Sequence, residues 1–206
     1  VCPEIVPLVA RQGFKWMASD EEVLFRSIRS RDRYTVLYRP YLVEHAGATV
    51  GMVFRDRQLS DLIGFTYAFN DPKSAVADFL MKLSEIARVA RGDDAIVSVI
   101  LDGENPWQSY PDGGEGFLRR LYEELEKGTF AESVRIGDYL AAHPPTERIT
   151  RLHSGSWIDS NFGVWIGEEE DNAAWNLLGR ARTALQQREA SGGGKDLSAA
   201  REEIYA

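Results

Sequence analysis

The chain has 206 residues, of which 44% are hydrophobic and 27% are charged, a composition typical of a compact folded domain rather than a disordered chain. Its 32 acidic residues against 24 basic ones give a formal charge of -8 without a basic stripe, and no apolar run approaches the roughly 20 residues that cross a bilayer, so we expect neither a nucleic acid nor a membrane as a partner. The single cysteine excludes an internal disulfide, and the three histidines lack metal-ligand spacing, so we expect no metal site.

The first part of the chain predicts short elements that alternate between helix and strand. Apolar spacing, acidic helix starts and glycine breaks are the signals for these elements. In order they are a helix over 3–11, a strand over 14–19, a helix over 20–28, β-rich segments over 39–56, and a short helix or ordered loop over 59–67.

The clearest predicted helix runs from Asp71 to Arg91. Asp71 is a suitable N-cap, Pro72 fits the first helical position, and Gly92 is expected to end the helix. One apolar face predicts a contact with the core, and it consists of Val76, Phe79, Leu80, Leu83, Ile86 and Ala87.

The second part of the chain repeats the alternation. Residues 95–101, AIVSVIL, are apolar on both alternating faces, as expected for a strand that is covered on both sides. Alternating buried strands and helices predict an α/β fold with parallel strands, either a barrel or an open sheet. The later elements are helices over 115–128 and 136–143, a strand over 148–155, a helix over 171–189, and a new helix start after the glycine-rich segment 191–195.

Ionisable residues stand where several predicted strands end. They include Asp20, Arg55, Asp102 and His153. Ligands of parallel α/β folds bind beyond the carboxyl ends of the strands, so these side chains are expected to converge on one site. Carboxylates crowded there should include at least one with a raised pKa, which is how a general acid is made.

The segment DGEN at 102–105 is the strongest candidate for chemistry. A helix start needs one capping side chain, whereas Asp102 and Glu104 place two carboxylates around a glycine, ahead of a proline that delays any helix. A calcium loop is the competing interpretation, but the frame D-x-D-x-D-G is missing. For Asp20 and Ser60, each considered alone, capping of the next helix is the favoured explanation.

Aromatic residues lie in loops beside these acids. Trp107 follows the two carboxylates, and Trp157 follows His153. Flat aromatic faces beside acids suit sugars, because pyranose rings offer C–H faces for stacking and hydroxyl groups that need fixed hydrogen-bond partners. Trp16 and Trp175 lie at strand or helix spacing, and we assign them to the core.

Four segments extend this interpretation, namely ARQGFKWMASDEEVL, FRDRQLSDLIGFTY, LDGENPW and HSGSWIDSNFGVWIG. In this order they resemble glycoside hydrolase family 57, in particular its amylopullulanase and α-amylase-like members. The resemblance spans nearly the whole chain and implies part of a distorted (β/α)7 barrel with parallel strands and additional helices. It also implies retaining action on α-glucans of the starch, glycogen or pullulan type, without a cofactor.

The resemblance also implies roles for individual residues. Asp102 opens the DGE motif and would be the general acid/base, and Glu104 is similar to a residue that supports the site and contacts sugar. The remaining residues expected to bind substrate are Trp107, His153, Trp157, Asp20, Arg55 and Asp61.

Other parts of the family's machinery are expected outside the chain. The nucleophilic Glu and a motif with a substrate-binding His are expected upstream of Val1, and the fifth motif is expected to begin near Tyr205. Residues 1–190 are accordingly predicted to be the C-terminal part of the catalytic barrel, and residues 191–206 a glycine-rich linker with the start of a following helix. We expect a cytoplasmic glycosidase of α-amylase or amylopullulanase type in the full-length protein, and no activity from this segment alone.

Two alternatives stay open. A 4-α-glucanotransferase or branching enzyme would use the same residues and differ in its acceptor site. A non-catalytic carbohydrate-binding segment would do without the nucleophile. The linkage that is cleaved and the oligomeric state are not predicted.

Overall fold

The computed structural model describes residues 1–90, 95–128, 130–191 and 197–205. The chain divides into two units, Val1–Asn161 and Phe162–Ala206. The first unit contains a sheet and the helices that cover it, and the described part of the second unit is mostly helical.

The helices of the first unit follow the predicted ones within a few residues. The short helix α3 was not predicted, whereas the segment predicted as a short helix or ordered loop over 59–67 is helical, with the π-helical turn Leu62–Thr66 directly continuing α4. Short 3-10 helices lie at Tyr67–Phe69 and Asn105–Ser109. The α-helices are α1 Ile5–Arg11, α2 Glu21–Ile28, α3 Arg33–Val36, α4 Arg57–Asp61, α5 Pro72–Val89, α6 Glu115–Glu126 and α7 Ile136–Ala142.

The predicted start of α5 is confirmed in detail. Asp71 is the N-cap, its side chain accepts a hydrogen bond from the Ser74 backbone N–H at 3.0 Å, and Pro72 occupies the first turn. The predicted end of this helix at Gly92 lies outside the described residues. Of the predicted apolar face, Val76, Phe79 and Ile86 are buried.

The strands of the described chain form one sheet in the order β1-β3-β2-β4. They are β1 Trp16–Asp20, β2 Tyr41–His45, β3 Ala48–Arg55 and β4 Glu147–Ile149. β1 pairs with β3 in parallel, β2 pairs with β3 in an antiparallel hairpin, and β4 pairs with β2 in parallel. Consequently β1 and β3 end at one edge of the sheet, which we call the upper edge, and β4 ends at the opposite edge.

The segment 95–101 differs from its prediction as a full strand. It makes a single parallel bridge, from Ser98 to Arg55, and the Asp56 backbone N–H donates to the Ser98 carbonyl at 2.8 Å. The reason is the register of β2, which pairs with β3 only as far as Met52 and leaves just the last residues of β3 open on that side. The direction of the segment is nevertheless parallel to β3, as predicted.

The core lies between this sheet and the surrounding helices. Its largest fully buried side chains include Phe54 of β3, Leu24 of α2 and Phe117 of α6. β3 contributes buried residues on both of its faces, from Val50 to Arg55, because helices cover both sides of the sheet there. The predicted α/β fold class is confirmed.

The second unit contains α8 Glu169–Ala190 and α9 Ser198–Tyr205. Arg201 of α9 forms an ion pair with Glu189 of α8 at 2.6 Å. The assignment of Trp175 to the core is wrong, because its side chain is 52% exposed and its indole N–H donates to the Trp165 carbonyl instead. Most of the predicted linker, residues 192–195, lies outside the described residues. Among the described helices, none is long and apolar enough to span a bilayer.

Candidate active site

One buried arginine at the upper edge of the sheet, itself a predicted site residue, joins three other predicted site residues. Arg55 ends β3 and is only 4% exposed. One terminal nitrogen donates to Asp61 Oδ1 at 2.6 Å, and the other lies 3.5 Å from Asp20 Oδ2. The guanidinium carbon lies 5.1 Å from the centre of the Trp157 ring, within the range of a cation–π contact. We call Asp20, Arg55, Asp61 and Trp157 the Arg55 cluster.

Asp20 in this cluster has two structural functions. It is the N-cap of α2, accepting the Glu22 backbone N–H at 3.0 Å, which is the function expected of a carboxylate after a strand. It is also fully buried and pairs with Arg57 at 2.5 Å in addition to Arg55. Two guanidinium groups therefore compensate the cost of burying this carboxylate.

A second buried network of charged and polar groups lies beside the Arg55 cluster. Asp56 is fully buried, caps α4 through the Leu59 backbone N–H at 2.9 Å, and accepts a hydrogen bond from the Tyr38 hydroxyl at 3.0 Å. Arg33 forms ion pairs with both Asp56 and Glu21. Arg33 of α3 therefore links Asp56, which follows β3, to Glu21, which follows β1.

Burial and charge shift two acid groups of this network. Burial raises the pKa of Glu21, although the hydrogen bond from the Arg57 backbone N–H and the charge of Arg33 act in the opposite direction. Burial also raises the pKa of the Tyr38 hydroxyl, and the charge of Asp56 adds to the effect. A carboxyl group with a raised pKa thus occurs at the upper edge and belongs to Glu21, but the main cause is burial rather than the predicted crowding of acids.

The segment that carries Asp102 is fixed by side chains of β3 and α4. Arg55 Nε donates to the Ile100 carbonyl at 2.9 Å, and the Ile100 backbone N–H donates to the buried Ser60 hydroxyl at 3.1 Å. Ser60 donates in turn to the Asp56 carbonyl at 2.6 Å. Both backbone polar groups of Ile100 are therefore held two residues before Asp102.

Asp102 itself is half-buried and does not cap a helix. The next helical turn is the 3-10 helix at Asn105–Ser109, whose N-cap is Glu104 without a side-chain capping bond. Asp102 Oδ2 accepts a hydrogen bond from Asn105 Nδ2 at 2.9 Å, and Gly103 and Glu104 are exposed. The carboxylate of Asp102 thus retains acceptor positions that the described contacts do not use.

Trp107 lies on the other side of this loop and packs mainly on protein. Its ring is half-buried, lies 5.6 Å from the Tyr110 ring, and covers Gly114 so closely that an added Cβ there would be 2.4 Å from Trp107 Cε3. Tyr110 is anchored in turn by a hydrogen bond from its hydroxyl to the Ile63 carbonyl at 2.8 Å. Nothing in these contacts joins Trp107 to the Arg55 cluster.

His153 is not brought to the upper edge by the strand that precedes it. β4 is antiparallel to β3, so its carboxyl end lies at the opposite edge, and the argument from parallel strand ends is wrong for this residue. The His153 backbone N–H donates to Ser27 Oγ at 2.8 Å, and its Nε2 lies 2.9 Å from the Ser160 carbonyl. A sugar contact of His153 stays a prediction.

In the described residues, the Arg55 cluster does not coincide with a group of metal ligands or with either of two surface cavities. Within the ranges that the structure describes, no three His, Cys, Asp or Glu side chains are grouped to hold a metal ion. Two surface cavities of about 590 and 510 Å³ are lined by α6 and by residues around the end of α2, respectively, and neither is lined by Asp102.

Three residues of these networks were not predicted from the sequence. Arg57 could have been found, because the alternation Arg55, Asp56, Arg57 directly after a buried strand is a signal for paired charges. Arg33 and Tyr38 carry no such signal, because their partners are 12 to 23 positions away and meet them only through the fold.

These features define an α/β protein with a buried ion-pair cluster where its parallel strands end. The chain belongs to glycosyl hydrolase family 57, whose model matches residues 1–151, so the family resemblance is confirmed. Comparison with curated proteins found no match. Among solved structures, the 4-α-glucanotransferase from Thermococcus litoralis is similar at a TM-score of 0.62, with 16% identity.

That comparison covers 100% of this chain and 29% of the glucanotransferase. The likeness shows a shared fold. The chain spans less than a third of the length of that enzyme.

Proposed function

We propose that this chain is part of an enzyme that cleaves or transfers α-glucans by a retaining double displacement, with Asp102 as the general acid/base. The single observation that carries the proposal is the family match over residues 1–151, which includes the DGE motif at 102–104. The fixed backbone at Ile100 supports it, because an acid/base must be held in place relative to the bond it protonates. Part of the enzyme's residues, including the nucleophile, would lie outside the chain.

In the proposed mechanism Asp102 acts twice. Protonated, it gives its proton to the glycosidic oxygen as the leaving sugar departs, while a second carboxylate, roughly 5 Å away in retaining enzymes, attacks the anomeric carbon. As a carboxylate, it then takes a proton from the water or sugar hydroxyl that attacks the glycosyl-enzyme. Each cycle restores both carboxyl groups to their starting state.

The Arg55 cluster has a positioning role in this proposal. Arg55 holds the Ile100 carbonyl and contacts Trp157, so one guanidinium links the backbone before Asp102 to an aromatic ring that is 38% exposed. Trp157 and the partly exposed Asp61 carboxylate both contact Arg55, and an aromatic ring and a carboxylate held by one residue suit stacking and hydrogen bonding of a sugar. Glu104, Trp107, His153 and Asp20 are proposed as further contacts or supports of the substrate site.

A transferase is the second candidate. The name of the solved neighbour, a 4-α-glucanotransferase, favours it. In a transferase the glycosyl-enzyme is attacked by a sugar hydroxyl instead of water, and the residues of this chain act in the same way. Incubation with maltoheptaose separates the two, because a transferase yields longer glucans and a hydrolase yields only shorter ones.

The decisive test of Asp102 uses the full-length protein that contains this chain. We expect Asp102→Asn to lower kcat on maltooligosaccharides about 10²- to 10⁴-fold. A fluorinated or nitrated aryl glucoside needs little protonation of its leaving group, so its first, glycosylating step should be affected far less. Asp112→Asn is the matched control variant, because the Asp112 carboxylate accepts hydrogen bonds from the Gly114 and Gly116 backbone N–H groups at the start of α6 and has no part in the proposed mechanism.

Three outcomes would contradict parts of the proposal. Unchanged turnover in Asp102→Asn would remove the acid/base role, and an equal loss on both substrates would indicate a structural role. A full-length wild-type protein that binds glucans without turning them over would support the non-catalytic alternative. The proposal also includes a cytoplasmic location, which fractionation of the source cells would test.

A further inference from the structure

A cavity of about 510 Å³ lies around the C-terminal end of α2 and is rich in positive charge. Its polar lining residues are Arg26, Ser27, Arg29, Arg151, His153 and Ser154. No carboxylate lines it. Its volume is within the roughly 300–1,000 Å³ typical of small-molecule sites.

The basic charge of this cavity contrasts with the chain, which has a formal charge of -8. Arg29 and Arg151 form no ion pair with any residue in the described ranges, so their guanidinium groups are not neutralised there. Arg26 shares Glu22 with Arg31, and Glu22 is the acid nearest to the cavity on α2. The C-terminus of α2 adds the equivalent of about half a negative charge, which the guanidinium groups of Arg29 and Arg151, unpaired in the described ranges, outweigh.

The walls of the cavity are connected to each other. The Ser27 hydroxyl donates to the Val23 carbonyl at 2.6 Å and accepts from the His153 backbone N–H at 2.8 Å, which ties α2 to the segment after β4. Leu152 between the two basic wall residues is 6% exposed and anchors that segment in the core. The arginines therefore project from a backbone that is already fixed, which lowers the entropic cost of binding.

The cavity is separate from the Arg55 cluster. Asp20 caps the start of α2, whereas Arg29 caps its end, and a helix of eight residues spans about 12 Å. The cavity therefore lies toward the edge of the sheet that is opposite to the upper edge.

We propose that this cavity binds the phosphate group of a small phosphorylated metabolite or free phosphate. Guanidinium groups donate pairs of parallel hydrogen bonds to phosphate oxygens, and the hydroxyl of Ser154 suits a remaining one. Apart from His153, which is also proposed as a sugar contact, none of the lining residues belongs to the proposed glucan site. The cavity is a second site on the protein, for an anionic ligand.

The test measures phosphate binding to the full chain by calorimetric titration at constant ionic strength, with chloride as the balancing anion. We expect saturable binding of inorganic phosphate or of glucose 1-phosphate. The double variant Arg29→Gln/Arg151→Gln should weaken it at least tenfold. The matched control Arg11→Gln removes an exposed arginine of α1 that is also without an ion pair in the described chain, and it should change the affinity less than twofold.

The relative affinity of the two probes identifies the source of the phosphate. Tighter binding of glucose 1-phosphate indicates a phosphate ester, and tighter binding of inorganic phosphate indicates the free ion. Absence of saturable binding for both probes would overturn the proposal. An unchanged affinity in the double variant, or an equal loss in Arg11→Gln, would also overturn it, provided that circular dichroism shows the variants to be folded.

Discussion

At the scale of single residues, Arg55 shows how a buried charge is accommodated at a strand end. Transfer of a guanidinium group out of water costs several kcal/mol, and only partners of opposite charge with good geometry offset this cost. Arg55 has Asp61 at 2.6 Å, Asp20 at 3.5 Å and the Ile100 carbonyl at 2.9 Å, so its fork of donors is used in three directions. The ammonium group of a lysine lacks this planar fork of donors and cannot make all of these contacts at once.

Two substitutions of Arg55 should lower the free energy of unfolding by different amounts. Arg55→Lys keeps the charge and loses the hydrogen bond to Ile100, and we expect a loss of about 1.5–3 kcal/mol in the free energy of unfolding. Arg55→Met removes the charge beside the buried Asp20, and we expect about 3–5 kcal/mol. Urea unfolding followed by circular dichroism measures both values. The control Arg119→Met alters an exposed ion pair and should have little effect.

An Arg55→Lys variant as stable as the wild type would show that the charge alone matters. In that case the fork geometry would have no part in holding the segment before Asp102.

Two adjacent glycines allow a test of how Trp107 is packed. Gly113 and Gly114 both have a positive φ, of +68° and +84°, but only Gly114 faces a ring, with an added Cβ 2.4 Å from Trp107 Cε3. We expect Gly113→Ala to cost about 1–2 kcal/mol for the left-handed backbone alone. Gly114→Ala should cost a further 1–3 kcal/mol or so, because the Trp107 ring has to move.

Urea unfolding gives both costs, and tryptophan fluorescence should change only in Gly114→Ala. Equal costs for the two variants would contradict the close packing of Trp107 on the start of α6.

At the scale of elements, the segment 98–101 depends on its neighbours. It has one bridge to β3 and obtains its remaining order from Arg55 and Ser60. A strand inside a sheet would have a ladder of backbone hydrogen bonds on both sides. The position of Asp102 is thus set by two side chains rather than by a strand.

We therefore predict that Ser60→Ala affects both stability and the proposed activity. The Ile100 backbone N–H would lose its acceptor in a buried place, at a cost of about 1–3 kcal/mol in unfolding free energy. In the full-length protein, kcat on maltooligosaccharides should fall more than KM changes, because Asp102 is less well oriented while glucan binding surfaces remain. Ser84→Ala is the control, since it removes a hydroxyl that bonds to Met81 at the surface.

A normal kcat in Ser60→Ala, together with the expected loss of stability, would mean that the order of this segment is irrelevant to Asp102. The unfolding measurement alone tests the predicted loss of stability.

The elements also show which parts of the fold can be predicted from sequence. The start of α5 was predictable because Asp71 and Pro72 are local signals that act within one turn. The pairing of segment 95–101 was not, because its apolar pattern is the same for a full strand and for a buried extended segment. The difference arises from β2, which already occupies most of that side of β3.

The candidate site was predictable to a similar degree. Asp20 and Arg55 meet as expected, because β1 and β3 are parallel and in register at these residues, whereas Asp61 reaches Arg55 from the end of α4. His153 does not follow the same rule, since the direction of β4 depends on the hairpin between β2 and β3. Strand direction is a property of the whole sheet, and a single strand sequence does not encode it.

At the scale of the whole molecule, the buried tyrosines couple the fold to alkaline pH. Burial raises the pKa of Tyr41 to about 12, where the negative charge of Glu147 adds to the effect and the positive charge of Arg39 opposes it. Burial likewise raises the pKa of Tyr110 to about 12. It also raises the pKa values of Tyr38 and Tyr67 well above their usual value, and each of these two hydroxyls contacts a carboxylate. Tyr67 and Tyr110 both pack against the Phe117 ring.

The sign of the coupling follows from these shifts. A phenol with a raised pKa in the folded state keeps its proton there while the unfolded chain has already lost it, so the folded state binds more protons above pH 10. The contribution of these tyrosines to the free energy of unfolding is therefore complete below pH 10. It decreases as the pH rises from 10 toward 12 and beyond.

A pH jump from 8 to 11, followed by phenolate absorbance at 295 nm, tests this prediction. We expect a fast phase from accessible tyrosines and a slow phase that has the rate of unfolding measured by circular dichroism. Tyr110→Phe should remove about one phenolate from the slow amplitude, because its hydroxyl is bonded to the Ile63 carbonyl inside the fold. If all eight tyrosines of the chain ionised in the fast phase, the buried hydroxyls would exchange with solvent without unfolding, and the coupling of stability to pH would be absent.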